Sequence, residues 1–202
     1  MLSRRAEDKR TKKRPTGFSL VELLVTLLVA LVLIAIGMPY FLRAYHAYRL
    51  TNAAQNLAQI LRITRYEAIR LNKDVNCVIK PDAGDPTISD AFADSDGDTN
   101  PGPTEKIVQL GIGGNLIGGG GVPGTAGLLT GANVTSGTVT PPAGNATIGF
   151  DSRGAVKTGN INVFYLASPV APETGYRAVL LMPSGSIQIW TGDVNGNWGQ
   201  LR

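Results

Sequence analysis

The chain holds one cysteine, Cys77, and one histidine, His46, among its 202 residues. A single cysteine excludes an internal disulfide. Cys77 lies in the strand-like run Val75-Asn76-Cys77-Val78-Ile79. It reads as a small buried apolar residue, with an intermolecular bond or a reactive thiol as the alternatives. A single histidine excludes a histidine-pair metal site, and His46 reads as a surface or packing residue. No serine elbow and no cysteine–histidine dyad can be assembled. The glycine run at 118–121 is not a phosphate loop, because no Gly-Lys-Ser/Thr follows it. Nothing supports a paired-carboxylate hydrolase. The expectation is a protein that is not an enzyme.

Charge is scarce too, at 17% against about a quarter in an ordinary globular chain. The formal net charge of +4 is unevenly placed. Residues 1–17 carry Arg4, Arg5, Lys9, Arg10, Lys12, Lys13 and Arg14 against Glu7 and Asp8, a net of +5. Taking +5 from +4 leaves −1 on everything that follows. The body therefore lacks the basic excess that marks a general nucleic-acid binder.

The basic stretch ends at Pro15-Thr16-Gly17 and runs straight into Phe18-Ser19-Leu20-Val21-Glu22. Across the 21 residues 18–38, Glu22 is the only ionisable group. At about 1.5 Å per residue this run spans a hydrocarbon core of roughly 30 Å. The basic leader stays in the cytoplasm and the body crosses. Arg43, with Tyr40, Phe41, Tyr45 and Tyr48 as an aromatic belt, marks the far interface. A cleaved secretory signal is the competing reading, with Ala35-Ile36-Gly37 as its small-x-small site. The apolar run is too long for it, and Glu22 would be an unexplained cost of roughly 2–3 kcal/mol.

Pro39 removes one helical hydrogen bond and, with Gly37, makes a weak point expected to kink the helix; a helix stop followed by a new helix is the alternative. Beyond it, Leu50, Ala54, Leu57, Leu61, Thr64, Ala68 and Leu71 form one apolar stripe. Asn52, Gln55, Asn56, Gln59, Arg62 and Arg65 lie off it. Asn72 is the expected stop. One helix of about 54 residues, roughly 80 Å long, is predicted over 18–71. The 25 glycines and 12 prolines favour strands and turns for the rest. Strands are predicted at 75–80, 106–112, 138–140, 146–150, 160–167, 177–182 and 186–190. Residues 81–104 and 115–131 read as exposed loops. The fold class is α+β: a long N-terminal helix, its first half transmembrane, packed on a C-terminal antiparallel β-sheet head. The segments are a leader (1–17), a membrane half (18–42), an outer half of the helix (43–72) and the head (73–202), which holds a loop-rich insert at about 81–145.

The run Gly17-Phe18-Ser19-Leu20-Val21-Glu22-Leu23-Leu24, after a short basic leader, resembles the N-terminal signature of type IV pilins and pseudopilins. Arg65-Tyr66-Glu67-Ala68-Ile69-Arg70-Leu71-Asn72-Lys73-Asp74-Val75 is similar to the helix end and first strand of the GspH/FimT-type minor pseudopilins. Ile148–Gly154 and Leu180–Ile189 resemble that family's late strand-turn-strand segments. The resemblance covers 14–80 and 146–190. It implies a pilin-like ladle fold. It also implies cleavage after Gly17 by prepilin peptidase and N-methylation of Phe18. Glu22 would then serve filament assembly, paired with the Phe18 amine of a neighbouring subunit, and the family also places a proline at the position of Pro39. The implied partners are other pilins or pseudopilins, the prepilin peptidase and an inner-membrane assembly platform. The implied place is the bacterial inner membrane, single-pass, with the head in the periplasm and later in a filament.

Two further features carry chemistry. Asp94, Asp96 and Asp98 alternate, and Glu105 follows at the spacing of a calcium loop. The sixth position is Thr99 where glycine belongs, and Pro101 and Pro103 restrict the loop. A solvated acidic loop is therefore the favoured reading, and calcium the alternative. Asp193, Asn195 and Asn197 read as a tight turn. Some FimT-type proteins act in DNA uptake through a C-terminal basic motif. Here the chain ends Gly199-Gln200-Leu201-Arg202, with glutamine in place of the motif's first arginine. Arg153, Lys157, Arg177 and Arg202 are the residues such a role would use, and the body charge of −1 argues against it.

Overall fold

Ser19 precedes the first helical turn, its carbonyl accepting the Leu23 N–H at 3.1 Å. Helix α1 then runs Leu20–Leu71 and passes through Pro39. The helix is continuous through Pro39, as expected, and the alternative of a stop and a new helix is overturned. The structure, a computed structural model, describes residues 17–81, 89–103, 105–110, 114–134, 138–139 and 146–201. Residues 1–16, Arg202 and parts of the 81–145 insert lie outside the described residues. The chain divides into two units, Met1–Phe41 and Leu42–Arg202.

The helix ends as Asn72 foretells. Asn72 takes a left-handed φ of 49°. Its N–H donates to Ile69 O, and the Lys73 N–H donates to Ala68 O, both at 3.2 Å. This pair of reversed bonds is a Schellman stop, which asparagine tolerates better than most residues.

Ten strands and a second helix follow in chain order among the described residues. They are β1 (Val75–Pro81), β2 (Ser89–Asp94), β3 (Ile107–Gln109), β4 (Asn115–Ile117), α2 (Thr125–Gly131), β5 (Thr138–Val139), β6 (Ala146–Phe150), β7 (Ile161–Ala167), β8 (Tyr176–Leu181), β9 (Ile187–Gly192) and β10 (Trp198–Gln200). One sheet has the order β3-β2-β1-β6, the other β10-β9-β8-β7-β4, with β5 also on β7. In the first sheet Cys77 stands opposite Ala93 on one side and Ile148 on the other. Pairing is antiparallel except for β5, which runs parallel to β7.

The core has two compartments. Leu50, Leu57, Ile60 and Leu61 of α1 pack with Cys77, Ile79 and Phe150 of the first sheet and with Phe164, Leu166 and Val179 of the second. On the opposite face of the second sheet, Val163, Tyr165, Leu180 and Trp190 pack with Val122 and Leu128. The second sheet is thus covered on both faces, which is why β7 is apolar from Val163 to Ala167 instead of alternating. Burying each leucine-sized side chain contributes about 1.5–3 kcal/mol. The exposed Glu67–Arg70 pair contributes a few tenths of a kcal/mol at best. Packing, not surface charge, holds α1 to the sheets.

Several expectations are corrected. The 81–104 stretch is not all loop, since β2 lies in the interior of its sheet with Phe92 and Asp94 buried. Within 115–131, β4 and α2 form, and Leu128 is fully buried. Leu71 is exposed, and Ala53, Ala58 and Ile60 join the buried face of α1. Arg65 is half-buried and contacts the head.

Candidate functional site: the apolar helix and its junction

The predicted site residues Gly17, Phe18 and Glu22 lie at the start of α1 and are all exposed. Phe18 is 82% exposed, and the apolar side chains through Leu42 are exposed with it. The most apolar 18-residue window of α1 has a mean hydropathy of 2.9 and none of it is buried within the chain. By length and composition this helix can cross a membrane. Within 18–38 there are 14 Leu, Val, Ile and Phe residues. At roughly 0.3–0.6 kcal/mol each they outweigh a carboxylate costing roughly 2–3 kcal/mol. Glu22 is therefore tolerable in such a helix, and among the described residues no side chain pairs with it. It lies in the first turn of α1, where the helix dipole favours a negative charge.

A second locus sits where α1 meets the late turns of the head. The Asp151–Gly154 turn closes with Gly154 N–H donating to Asp151 O at 2.8 Å. Asp151 Oδ1 also accepts the N–H groups of Arg153 and Ala155. The next turn closes with Gly185 N–H donating to Met182 O, also at 2.8 Å. The Val156 N–H donates to Pro183 O and stitches the two turns together. Gly154 and Gly185 have φ of +78° and +79°. A Cβ on Gly185 would lie 2.4 Å from Gly154 O and 2.7 Å from Arg65 Nε. Arg65 Nη1 in turn donates to Gly185 O at 3.2 Å. The helix-end run beginning at Arg65 and the two late turn segments, far apart in sequence, thus meet at one point.

The family described as Type II transport protein GspH matches residues 53–185. The chain belongs to the GspH family. That family is one of structural subunits, not enzymes, in keeping with the sequence reading. A prokaryotic N-terminal methylation motif matches residues 12–38, the leader junction and the apolar half of the helix. No curated protein matches the chain in sequence. Among solved structures, the type IV minor pilin FimU of Pseudomonas aeruginosa (strain PAO1) is similar at 12% identity and a TM-score of 0.45. The likeness covers 69% of this chain and 87% of that one. At that distance it carries no argument, and the fold rests on the helix and sheets themselves.

The remaining site residues of this GspH-family chain are scattered among other tasks. Arg177 is buried; its Nε donates to Thr51 Oγ1 at 3.0 Å and its Nη1 to Tyr176 O at 2.9 Å. Desolvation pushes its pKa down from the ordinary arginine value. It ties β8 to α1, and sequence reasoning missed that role. Lys157 pairs with Asp74 at 2.7 Å. Arg153 is exposed, and Arg202 lies outside the described residues. Asp94, Asp96 and Asp98 do come together, each bringing a carboxylate oxygen within 4.8 Å of the others. Glu105 points elsewhere: its Oε1 accepts the Ser95 N–H at 2.8 Å and its Oε2 the Gly102 N–H at 2.9 Å.

Proposed function

We propose that this chain is cut after Gly17 and then serves as a minor subunit of a filament, of the type II secretion pseudopilus or type IV pilus kind. Assembly uses residues 18–71. The observation that carries this reading is the exposed, uncharged face of α1 with Glu22 as its lone carboxylate. Among the described residues nothing covers that face. Lipid covers it before assembly, and the helices of neighbouring subunits cover it after. The cut creates a positively charged amine on Phe18 within the same apolar zone, and prepilin peptidase methylates it. Neither charge is comfortable there alone, and pairing Glu22 with the Phe18 amine of the next subunit offsets part of both costs. The head then faces the periplasm, and an inner-membrane assembly platform inserts the subunit.

The test is Glu22→Leu in cells that build the filament. Membrane insertion and leader removal continue, while the share of the chain in the filament fraction falls on the order of tenfold or more, since losing one partner of a desolvated pair costs roughly 3 kcal/mol. Unchanged incorporation of Glu22→Leu overturns the reading. The rival reading as a membrane-anchored DNA receptor is not favoured by the positions of Arg177 and Lys157. The full chain in detergent is expected to show no salt-dependent retention of DNA.

A further inference from the structure

We propose that Asp94, Asp96 and Asp98 form a divalent-cation site, selective for calcium, at the end of β2. The proposal stands apart from the assembly reading. Asp94 is the last residue of β2, opposite Asn76 of β1, and is 2% exposed. Its Oδ1 accepts the Gly97 N–H at 2.7 Å. Its Oδ2 is buried and has no hydrogen-bond partner. A buried carboxylate oxygen with nothing to compensate it is costly, and a cation is the partner that carboxylates most readily take. The exposed Asp96 and Asp98 bring their carboxylates to the same place, all three within 4.8 Å. Among the described residues no basic side chain pairs with any of the three. The nearby lysines serve the loop backbone instead: Lys73 Nζ donates to Ser95 O, and Lys80 Nζ to Thr99 O.

The donors are hard oxygens, which disfavours soft metals and suits calcium, magnesium or manganese. Glu105 is not a ligand but a clasp, because its two oxygens hold the Ser95 and Gly102 N–H groups and so fix the loop between them. Thr99 stands where a calcium loop wants glycine, yet it takes the left-handed conformation, φ 60°, that the position requires. Asp96 and Asp98 lie open to solvent, so water completes the shell. That suits the larger, more flexible calcium ion over magnesium with its strict octahedron. A site with three carboxylates and an open side belongs in the weak range, about 10⁻⁴–10⁻³ M.

The test uses the full chain in detergent, stripped of metal by chelator and titrated with calcium chloride by calorimetry, with thermal unfolding followed in parallel. One site is expected, with a melting temperature that rises with calcium. Magnesium should bind at least an order of magnitude more weakly. The double variant Asp96→Asn, Asp98→Asn should melt like the metal-free parent but lose the calcium response by tenfold or more. Neither heat nor a melting shift up to roughly 10 mM calcium, well above the weak range, overturns the proposal. So does a double variant that responds to calcium as the parent does. An equal response to magnesium overturns the calcium assignment.

Discussion

Glu22 draws its meaning from what surrounds it: an exposed apolar helix and, among the described residues, no cation within the run 18–38. On the proposed reading its partner comes from outside, as the amine that a cut after Gly17 would supply on a neighbouring subunit. Cys77 is the opposite case, a group with chemistry that its surroundings remove. It is fully buried, and desolvation pushes its thiol pKa up to about 12. With almost no thiolate at neutral pH it is inert. A maleimide should leave the folded chain unlabelled at Cys77 over hours and label it quickly in denaturant; fast labelling of the folded chain would contradict this burial. Asp193 behaves differently again. Its carboxylate accepts from the Asn197 side chain at 2.7 Å and from the Asn197 and Asn195 N–H groups at 2.9 Å, so its pKa is lowered. A carboxylate with a lowered folded-state pKa contributes stability above its ordinary value near 3.8, and that contribution is lost as pH falls through the folded value. The parent should therefore melt higher than Asp193→Ala at pH 7, and the gap should narrow below pH 3.8. A gap that widens in acid would refute this role.

At the scale of elements, the Arg65 junction explains why two turns need glycine. Gly185→Ala forces a left-handed alanine into a space where its Cβ would lie 2.4 Å from Gly154 O. Left-handed strain alone costs about 1–2 kcal/mol, and the clash adds to it. Gly159→Ala, also left-handed but with open space around it, should cost only about 1 kcal/mol. Urea unfolding of the two variants should separate them clearly, and equal losses would show that the junction is not tight. In α1, Leu57→Ala should cost about 2–5 kcal/mol by opening a cavity between both sheets, measured the same way.

The same scale shows what was legible in the sequence. The helix and its end at Asn72 were, because a long period and a reversed cap leave a clear pattern. Strands β1, β6, β7, β8 and β9 were, because short runs rich in β-branched, aromatic and leucine side chains are bounded by turn residues. Strand β2 was not. Its Ser-Asp-Ala-Phe-Ala-Asp sequence has little strand propensity, and it sits among Pro, Asp and Gly. Its place between β1 and β3 is decided by pairing, not by local preference. Helix α2 spans seven residues, too few to show a period. For the same reason the acidic cluster was visible as spacing, but the burial of Asp94 was not, since that depends on β2 being an interior strand.

Over the whole molecule, the two units treat their apolar surface differently. The unit Leu42–Arg202 covers its own, through α1 on one side of the second sheet and the α2 segment on the other. In the unit Met1–Phe41 the apolar helix is exposed among the described residues. Such a chain suits a GspH-family subunit that passes from lipid to a filament. The most direct test is the N-terminal residue of the mature chain, read by peptide mass spectrometry from cells with an active prepilin peptidase. The account predicts an N-methylated Phe18 as the first residue, with Gly17→Ala leaving the leader in place. A mature chain that begins at Met38, after Ala35-Ile36-Gly37, would show an ordinary secretory signal and contradict it.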